Sequence, residues 1–194
     1  MGKNVVEQRI SAEELEQELR RERYRSRYNA VLKSTIYTLI TVAAVAVLVA
    51  TLWLPVLQIY GSSMTPTLHD GEIVFSVKND KMEQGDVIAF YYNNKILIKR
   101  VIANAGDWVN ITNDGTVYVN DKLLEEPYLT EKAFGDANIE LPYQVPDGKI
   151  FVMGDHRATS ADSRHTSVGC VAPDQIVGKI IFRVWPLDQI GMIK

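Results

Sequence analysis

The sequence predicts a mainly β protein, with an antiparallel β-sheet catalytic domain that follows one N-terminal transmembrane helix. Two observations support this prediction. Residues 34–55 form a run of 22 residues without a charged side chain, which is long enough to cross a membrane as a helix. Beyond Tyr60 the pattern changes to short runs of β-branched and aromatic residues separated by turn residues, which is typical of antiparallel sheets.

Length and composition limit the classes of protein that fit. The chain has 194 residues, enough for one domain of ordinary size after the apolar run is subtracted. Its net charge of −3 gives no indication of nucleic-acid binding. The single cysteine, Cys170, excludes an intrachain disulfide, and the three histidines show no zinc-ligand spacing. We therefore expect no metal and no cofactor.

The apolar run is preceded by basic side chains, which the positive-inside tendency places in the cytoplasm. One acidic residue, Glu22, stands among six basic ones: Arg20, Arg21, Arg23, Arg25, Arg27 and Lys33. We expect a cytoplasmic tail over residues 1–33, a transmembrane helix over 34–57 and an extracytoplasmic domain over 58–194. A cleaved signal peptide is the alternative, but the apolar run exceeds the usual length of about 7–15 residues.

The predicted tail carries a helix signal of its own. Ser11 followed by Glu14 resembles a capping box, with Ser11 as the N-cap residue. Leu15 and Leu19 are spaced four residues apart, so they share one helix face. We expect a solvated helix here, and a partner-binding tail is the alternative.

Seven runs predict the strands of the domain, at residues 72–77, 87–92, 95–102, 108–111, 116–120, 149–153 and 179–184. Asn93-Asn94 separates the second run from the third, and Asn113-Asp114-Gly115 separates the fourth from the fifth. Both segments are typical of tight hairpin turns. Residues 121–146 are less regular and predict either a long loop or a small subsidiary sheet.

Ser63 and Lys99 are the candidates for chemistry. Ser63 lies in Gly-Ser-Ser-Met-Thr-Pro-Thr-Leu, and Lys99 lies among branched apolar residues in Ile-Leu-Ile-Lys-Arg-Val-Ile. A serine hydroxyl needs a base to become a good nucleophile. Lysine serves as that base only when neutral, and burial among apolar neighbours lowers its pKa. Because neither His69 nor His156 has an assignable triad partner, the pattern indicates a serine–lysine hydrolase on a membrane surface.

A third block of polar residues follows the strand predicted over 149–153. Residues 154–164 read Gly-Asp-His-Arg-Ala-Thr-Ser-Ala-Asp-Ser-Arg. Such a loop can orient a lysine by hydrogen bonds and brace itself with an Asp–Arg pair. An ordinary turn, rich in loop-favouring residues, is the alternative.

Taken together, these blocks resemble bacterial type I signal peptidases. The resemblance runs from residue 34 to the C-terminus and depends on the order and spacing of the motifs rather than on any one of them. The motifs are the apolar anchor, Ser-Met-Thr-Pro-Thr-Leu at 63–68, Gly-Asp-Val-Ile at 85–88, Ile-Lys-Arg-Val-Ile at 98–102, Gly-Asp at 106–107 and the block at 154–164.

The resemblance implies a role for each matching residue. Ser63 would be the nucleophile and Lys99 the general base, which later protonates the leaving amine. Ser160 would hydrogen-bond the lysine. Asp162 and Arg164 would form a supporting ion pair. Met64 and Pro66 would shape the nucleophile turn.

The resemblance also implies a substrate and a location. Secretory preproteins would be cut after a small residue at position −1, with a small or aliphatic residue at −3, while the peptide lies extended against strand edges. The protein would be a single-pass cell-membrane protein with a cytoplasmic N-terminus, close to the secretion translocon.

The sequence departs from the usual family pattern in three places. His156 replaces an asparagine, and Ala-Asn-Ala at 103–105 replaces Gly-Leu-Pro. Gly61 stands where some members carry a hydroxyl that helps to bind the oxyanion, which leaves the Ser63 backbone N–H as the clearest donor. Gly61 and the short stretch between Lys99 and Gly154 resemble the compact Gram-positive members.

Other readings fit less well. A self-cleaving repressor-type protease would need a DNA-binding helix-turn-helix and no membrane span. The endoplasmic-reticulum type of signal peptidase has histidine at the position of Lys99. A catalytically inactive, membrane-anchored binding module of the same fold remains open from sequence alone.

Overall fold

The structure, a computed structural model, describes residues 12–53, 55–79 and 81–193. It divides into two units, Met1–Ala50 and Thr51–Lys194. The predicted N-cap, Ser11, lies outside the described residues.

The described residues of the first unit all belong to one long helix. Helix α1 spans Ala12–Trp53, 42 residues, and its stretch Leu15–Val49 is long and apolar enough, by length and composition, to cross a membrane. Helix α1 therefore runs through the described part of the predicted tail and into the predicted span, and it ends at Trp53 rather than at residue 57. Pro55 cannot continue the helix, because proline lacks the backbone N–H that a helix interior uses.

The second unit is an antiparallel β domain, which confirms the predicted fold class. Its larger sheet has the strand order β1-β2-β10-β3-β4-β9, with β11 paired to β10. These strands are β1 Val56–Gln58, β2 Ile73–Val77, β3 Val87–Tyr92, β4 Lys95–Ala103, β9 Phe151–Met153, β10 Ile176–Trp185 and β11 Gly191–Met192. Residues 56 and 57 thus belong to the sheet and not to the helix.

A smaller sheet is formed by the middle of the domain. Its strand order is β7-β6-β5-β8, with β5 Trp108–Ile111, β6 Val117–Val119, β7 Lys122–Leu123 and β8 Tyr143–Gln144. The less regular segment 121–146 therefore contributes two short strands to a subsidiary sheet. Two short 3₁₀ helices, Pro173–Gln175 and Leu187–Gln189, flank β10.

Both predicted hairpins are present. Strands β3 and β4 pair from Tyr92↔Lys95 to Val87↔Arg100 around the turn at Asn93, whose φ is +51°. Asparagine tolerates this left-handed backbone better than most residues. Strands β5 and β6 pair in register around residues 112–116. The first hairpin sets the position of Lys99 on β4.

Three groups of buried apolar side chains hold the domain together. One group lies beneath the segment that carries Ser63: Ile59, Met64, Leu68, Val74, Val87, Ala89 and Ile180. The second joins the small sheet to β4 and β9, and the third lies around β3 and Val152. Burial of each such side chain stabilises the fold by about 1.5–3 kcal/mol, so the site rests on a packed core.

Gly115 permits a close approach that matters to the site. Its φ is +83°, and a Cβ there would lie 2.4 Å from the backbone nitrogen of Ala133. The carbonyl oxygen of the next residue, Phe134, accepts a hydrogen bond from Arg164 Nη1 at 2.7 Å. The β5–β6 turn therefore packs directly against the backbone that supports Arg164.

We expect Gly115→Ala to lower the free energy of unfolding by about 2–4 kcal/mol, because left-handed strain and overpacking add. Urea unfolding of the detergent-solubilised chain measures this. The matched control is Gly148→Ala, whose φ is +69° and whose Cβ would meet no atom within 4 Å. This control should cost only about 1–2 kcal/mol, from the backbone alone. Equal losses for the two variants would show that the Ala133 approach has no energetic effect.

Candidate active site

The segment that carries Ser63 is a compact turn. Gly61 begins it with a φ of +86°, and its N–H donates to Asp70 Oδ1 at 2.7 Å. The N–H of Leu68 donates to the carbonyl of Met64 at 2.9 Å. We call residues 61–68 the Ser63 turn. A left-handed backbone at position 61 favours glycine, which accounts for the residue found there.

The two residues expected to shape this turn lie in different surroundings. Met64 is buried in the apolar group beneath the turn, so it anchors the turn by packing. Pro66 is exposed and follows a cis peptide bond. Ser63 lies between the anchor and the surface and is partly exposed.

Lys99 lies opposite Ser63 on strand β4. Its Nζ is 2.7 Å from Ser63 Oγ, and only 2% of the residue is exposed. Burial lowers the pKa of Lys99 to about 8, since water no longer solvates its charge; Asp162 and Asp155 oppose this shift and Arg164 adds to it. The structure thus brings the predicted pair within hydrogen-bond distance and makes the neutral amine much more accessible than in a free lysine.

The loop at residues 154–164 lies against the Ser63 turn. The N–H of His156 donates to the Ser63 carbonyl at 3.0 Å, and the His156 ring contacts Thr159 Oγ1 at 2.7 Å. A Cβ on Gly154 would lie 2.5 Å from the Ser63 carbonyl oxygen and closer still to Ser160 Oγ. Only glycine therefore fits at position 154.

The predicted ion pair of this loop is formed. Arg164 Nε donates to Asp162 Oδ1 at 2.8 Å and Nη2 donates to Oδ2 at 2.9 Å, with both side chains fully buried. Asp162 Oδ2 also accepts the Gly154 N–H at 3.0 Å. This bidentate pair fixes the loop backbone beside Ser63.

The side chain of Ser160 is buried, and its hydroxyl is unpaired within the described residues. Its Oγ makes no hydrogen bond to any group in the described part of the chain, so the expected bond to Lys99 is absent from this geometry. A buried hydroxyl without a partner is costly. It is therefore available to a group that enters or shifts within the site.

Sequence reasoning missed a second set of buried charges. Arg100 donates to both oxygens of Asp155, at 2.9 and 2.7 Å, and its guanidinium lies 3.9 Å from the centre of the Tyr128 ring. Arg157 pairs with Glu126, and both side chains are fully buried. Arg100, Asp155 and Arg157 lie in motifs that the sequence analysis identified. Glu126 and Tyr128, however, come from a segment that was predicted only as irregular.

Tyr128 lies in a poorly solvated environment beside Arg100 and Glu126. Burial, followed by the charge of Glu126, raises the pKa of the Tyr128 hydroxyl well above its usual value. That hydroxyl donates to Glu126 Oε1 at 3.1 Å. The charges beside the site are therefore held in a poorly solvated environment, where their geometry is strongly constrained.

A cleft of about 640 Å³ opens at Ser63 and Lys99. Its walls are β1 with the residues that follow it, and residues 94–99 at the start of β4. Within the described residues β1 pairs only with β2, and β4 pairs with β9 only from Arg100 to Ala103. Both walls thus offer unpaired strand edges, which suit an extended peptide.

The Ser63 N–H is a free donor at the end of this cleft, since it donates to no group among residues 12–53, 55–79 and 81–193. The same residues contain no group of three or more His, Cys, Asp or Glu side chains placed to hold a metal ion. The arrangement offers a hydroxyl, an amine with a lowered pKa and an N–H donor, which together suit acyl transfer.

Comparisons with known proteins agree on one family. The family model described as "Signal peptidase, peptidase S26" matches residues 32–185. The chain is 33% identical over 173 residues to "Signal peptidase I" of Streptococcus pneumoniae serotype 4, covering 69% of this chain and 83% of the relative. It is 40% identical over 151 residues to "Signal peptidase IB" of Staphylococcus aureus strain Mu50, covering 68% and 78%.

A solved structure is also similar. The crystal structure of a signal peptidase I from Enterococcus faecalis V583 matches at 30% identity with a TM-score of 0.44. The match covers 51% of this chain and 96% of that one.

The buried amine predicts a cost in stability. With a folded pKa of about 8 against an ordinary value of 10.5, Lys99 destabilises the fold by about 3 kcal/mol at pH 7. We expect Lys99→Met to raise the free energy of unfolding at pH 7 by about 1–3 kcal/mol, because methionine fills similar space without a charge.

The pH dependence of this gain follows from the sign of the shift. Below pH 8 the amine is charged in both states, so the gain is fully present. Between pH 8 and 10.5 the unfolded chain binds the extra proton, so the native chain regains stability and the gain disappears. Urea unfolding at several pH values measures this. The exposed Lys95→Met, on the same strand, serves as the control, and an equal gain there would contradict the assignment.

Proposed function

Because the chain belongs to the signal peptidase family, peptidase S26, and is therefore a serine endopeptidase that removes signal peptides, we propose that Ser63 is its nucleophile and Lys99 its general base. The observation that carries the proposal is the 2.7 Å separation between Lys99 Nζ and Ser63 Oγ. The lowered lysine pKa of about 8 makes the proposal chemically workable.

Burial supplies the protonation state that the reaction needs. At pH 7 a pKa of about 8 leaves roughly one lysine in ten neutral, which is about 300-fold more than a free side chain provides. The neutral amine accepts the Ser63 proton while the Ser63 oxygen attacks the carbonyl carbon of the scissile bond. The Ser63 N–H donates to the oxyanion that forms, a contribution of roughly 3 kcal/mol per donor in other proteases.

The proton then moves to the leaving group. Lys99 gives its proton to the departing amine as the C–N bond breaks, which leaves an ester between Ser63 and the signal peptide. A water molecule, deprotonated by Lys99, attacks this ester. Lys99 then returns the proton to Ser63 Oγ as the ester C–O bond breaks, which restores Ser63 and releases the peptide with a new carboxyl group that ionises in water. We assign Ser160 to orient Lys99 during these steps, supported by its buried and unpartnered hydroxyl.

The supporting residues act on the two reacting groups through the backbone. The Asp162–Arg164 pair holds Gly154 beside the Ser63 carbonyl, and the packing of Met64 holds the Ser63 turn from below. Pro66 lies at the exposed end of the same turn. We assign none of these four residues a direct part in bond breaking.

The signal peptides of secretory preproteins are the substrates. We infer that the segment around the cut lies extended in the cleft between β1 and the start of β4, with its backbone bonded to the unpaired edges. A strand in this position presents side chains alternately. Residues −1 and −3 would then face the same wall, which fits a family preference for a small side chain at −1 and a small or aliphatic one at −3.

We propose a cell-membrane location with residues 1–33 in the cytoplasm and residues 58–194 outside. The uncharged run at 34–55 and the basic residues before it support this topology. Such an anchor raises the local concentration of membrane-held preproteins. The same orientation would place the domain on the side where the translocon delivers its products.

Cleavage assays test the proposed pair. Ser63→Ala and Lys99→Ala should each abolish processing of a preprotein in detergent, and the double variant should be no worse, because such groups act as a unit. Wild-type kcat/KM should rise with pH through a midpoint near 8, as the lysine becomes neutral. Lys99→Arg should be inactive, since arginine stays charged. Near-normal turnover by Lys99→Ala, or a midpoint near 10, would exclude Lys99 as the base.

Labelling in intact cells tests the topology. Single cysteines are introduced at the exposed positions Arg21 and Glu131, with Cys170→Ser removing the native thiol. A membrane-impermeant maleimide should label Glu131→Cys at once and Arg21→Cys only after permeabilisation. The opposite pattern would invert the proposed orientation.

A further inference from the structure

Three segments carry the proposed reaction: the Ser63 turn, strand β4 with Lys99, and the loop at 154–164. Thr67, four residues after Ser63, bonds to the other two segments at once. Its Oγ1 donates to Asp155 Oδ2 at 2.5 Å and accepts a bond from Arg100 Nη2 at 3.2 Å. The hydroxyl therefore lies where the turn, the strand and the loop meet.

The partners of Thr67 are next in the chain to Lys99 and to a residue that hydrogen-bonds Ser63. Arg100 directly follows Lys99, and Asp155 directly precedes His156, whose N–H bonds the Ser63 carbonyl at 3.0 Å. Arg100 and Asp155 are nearly fully buried and joined by a bidentate ion pair. A buried bidentate pair is geometrically rigid, so a turn that is hydrogen-bonded to it is held in one position.

The backbone of Thr67 is held separately from its side chain. Arg183, on β10, donates from Nη2 to the Thr67 carbonyl at 2.5 Å and pairs with Glu72 at 3.0 Å. This contact does not involve the hydroxyl. A substitution that changes only the Thr67 side chain leaves the Arg183 contact in place and isolates the effect of the hydroxyl.

We propose that Thr67 is a positioning residue whose hydroxyl holds the Ser63 turn in register with β4 and the loop, so that Ser63 Oγ stays within hydrogen-bond distance of Lys99 Nζ. The inference rests on the proposed roles of Ser63 and Lys99. Thr67 acts through Asp155 and Arg100 and not on the substrate. Misplacement of a reacting atom by about 1 Å can cost roughly 100-fold in rate, so loss of this bond should be visible in turnover.

Three substitutions separate the hydroxyl from the shape of the side chain. Thr67→Val keeps the shape and removes the hydroxyl, Thr67→Ser keeps the hydroxyl, and Thr67→Ala differs from Thr67→Ser by one oxygen atom. The measurement is the single-turnover rate constant for preprotein cleavage, with the full chain in detergent and in excess over substrate. Thr67→Val and Thr67→Ala should lose tenfold or more, and Thr67→Ser should stay within threefold of wild type.

The rate constant distinguishes positioning from a merely structural role. A structural role lowers the melting temperature and the fraction of active protein, which changes the amplitude of the reaction but not its rate constant at saturating enzyme. The enzyme concentration for half-maximal rate should stay within twofold of wild type, because Thr67 does not contact the substrate.

Several outcomes would overturn the proposal. These are a wild-type rate constant for Thr67→Val, an equal loss for Thr67→Ser and Thr67→Ala, and a failure of both Val and Ala variants to fold. If Thr67→Val alone fails to fold, the Ser and Ala pair decides. Ser63→Ala is assayed alongside: cleavage by that variant would overturn the proposed function, whereas an inactive Ser63→Ala with a fully active Thr67→Val would overturn only the role of Thr67.

Discussion

Burial of the Lys99 amine is the constraint on which the rest of the site depends. The two carboxylates that act on this amine, Asp155 and Asp162, are each paired with an arginine, Arg100 and Arg164. Each carboxylate is therefore largely compensated and opposes the lowering of the lysine pKa less than a lone charge would. The site thus keeps acidic groups close to the lysine while its pKa still lies below the ordinary value.

The buried arginines hold the site together at some expense in stability. Arg100, Arg157 and Arg164 are among the largest fully buried side chains of the described residues, and each is paired with a carboxylate. The attraction within such a pair offsets little more than the free energy of desolvating its two charges, but removal of one partner leaves an uncompensated buried charge. Their value here is geometric, because each guanidinium ties the loop at 154–164 to another segment: Arg164 to Phe134, Arg157 to Glu126 and Arg100 to β4.

The sequence by itself determined the class of the fold and the residues of the candidate site. Alternation and turn residues located seven strands and both hairpins, because these signals are local. Ser63, Lys99, Asp162 and Arg164 were identified from motif order, and the structure brings each into one place. One prediction was wrong: the helix was expected to continue past Pro55 to residue 57. Helix α1 instead ends at Trp53, and residues 56–58 form an edge strand that lines the cleft.

Only the tertiary structure decided which side chains meet across the chain. The bond from Thr67 to Asp155 joins residues 88 positions apart, and the Arg157–Glu126 pair comes from a segment without local periodicity. The lowered lysine pKa likewise depends on burial by several strands at once. Local sequence patterns fix backbone direction and the buried face, whereas long-range contacts and desolvation depend on how distant segments pack, which no local pattern encodes.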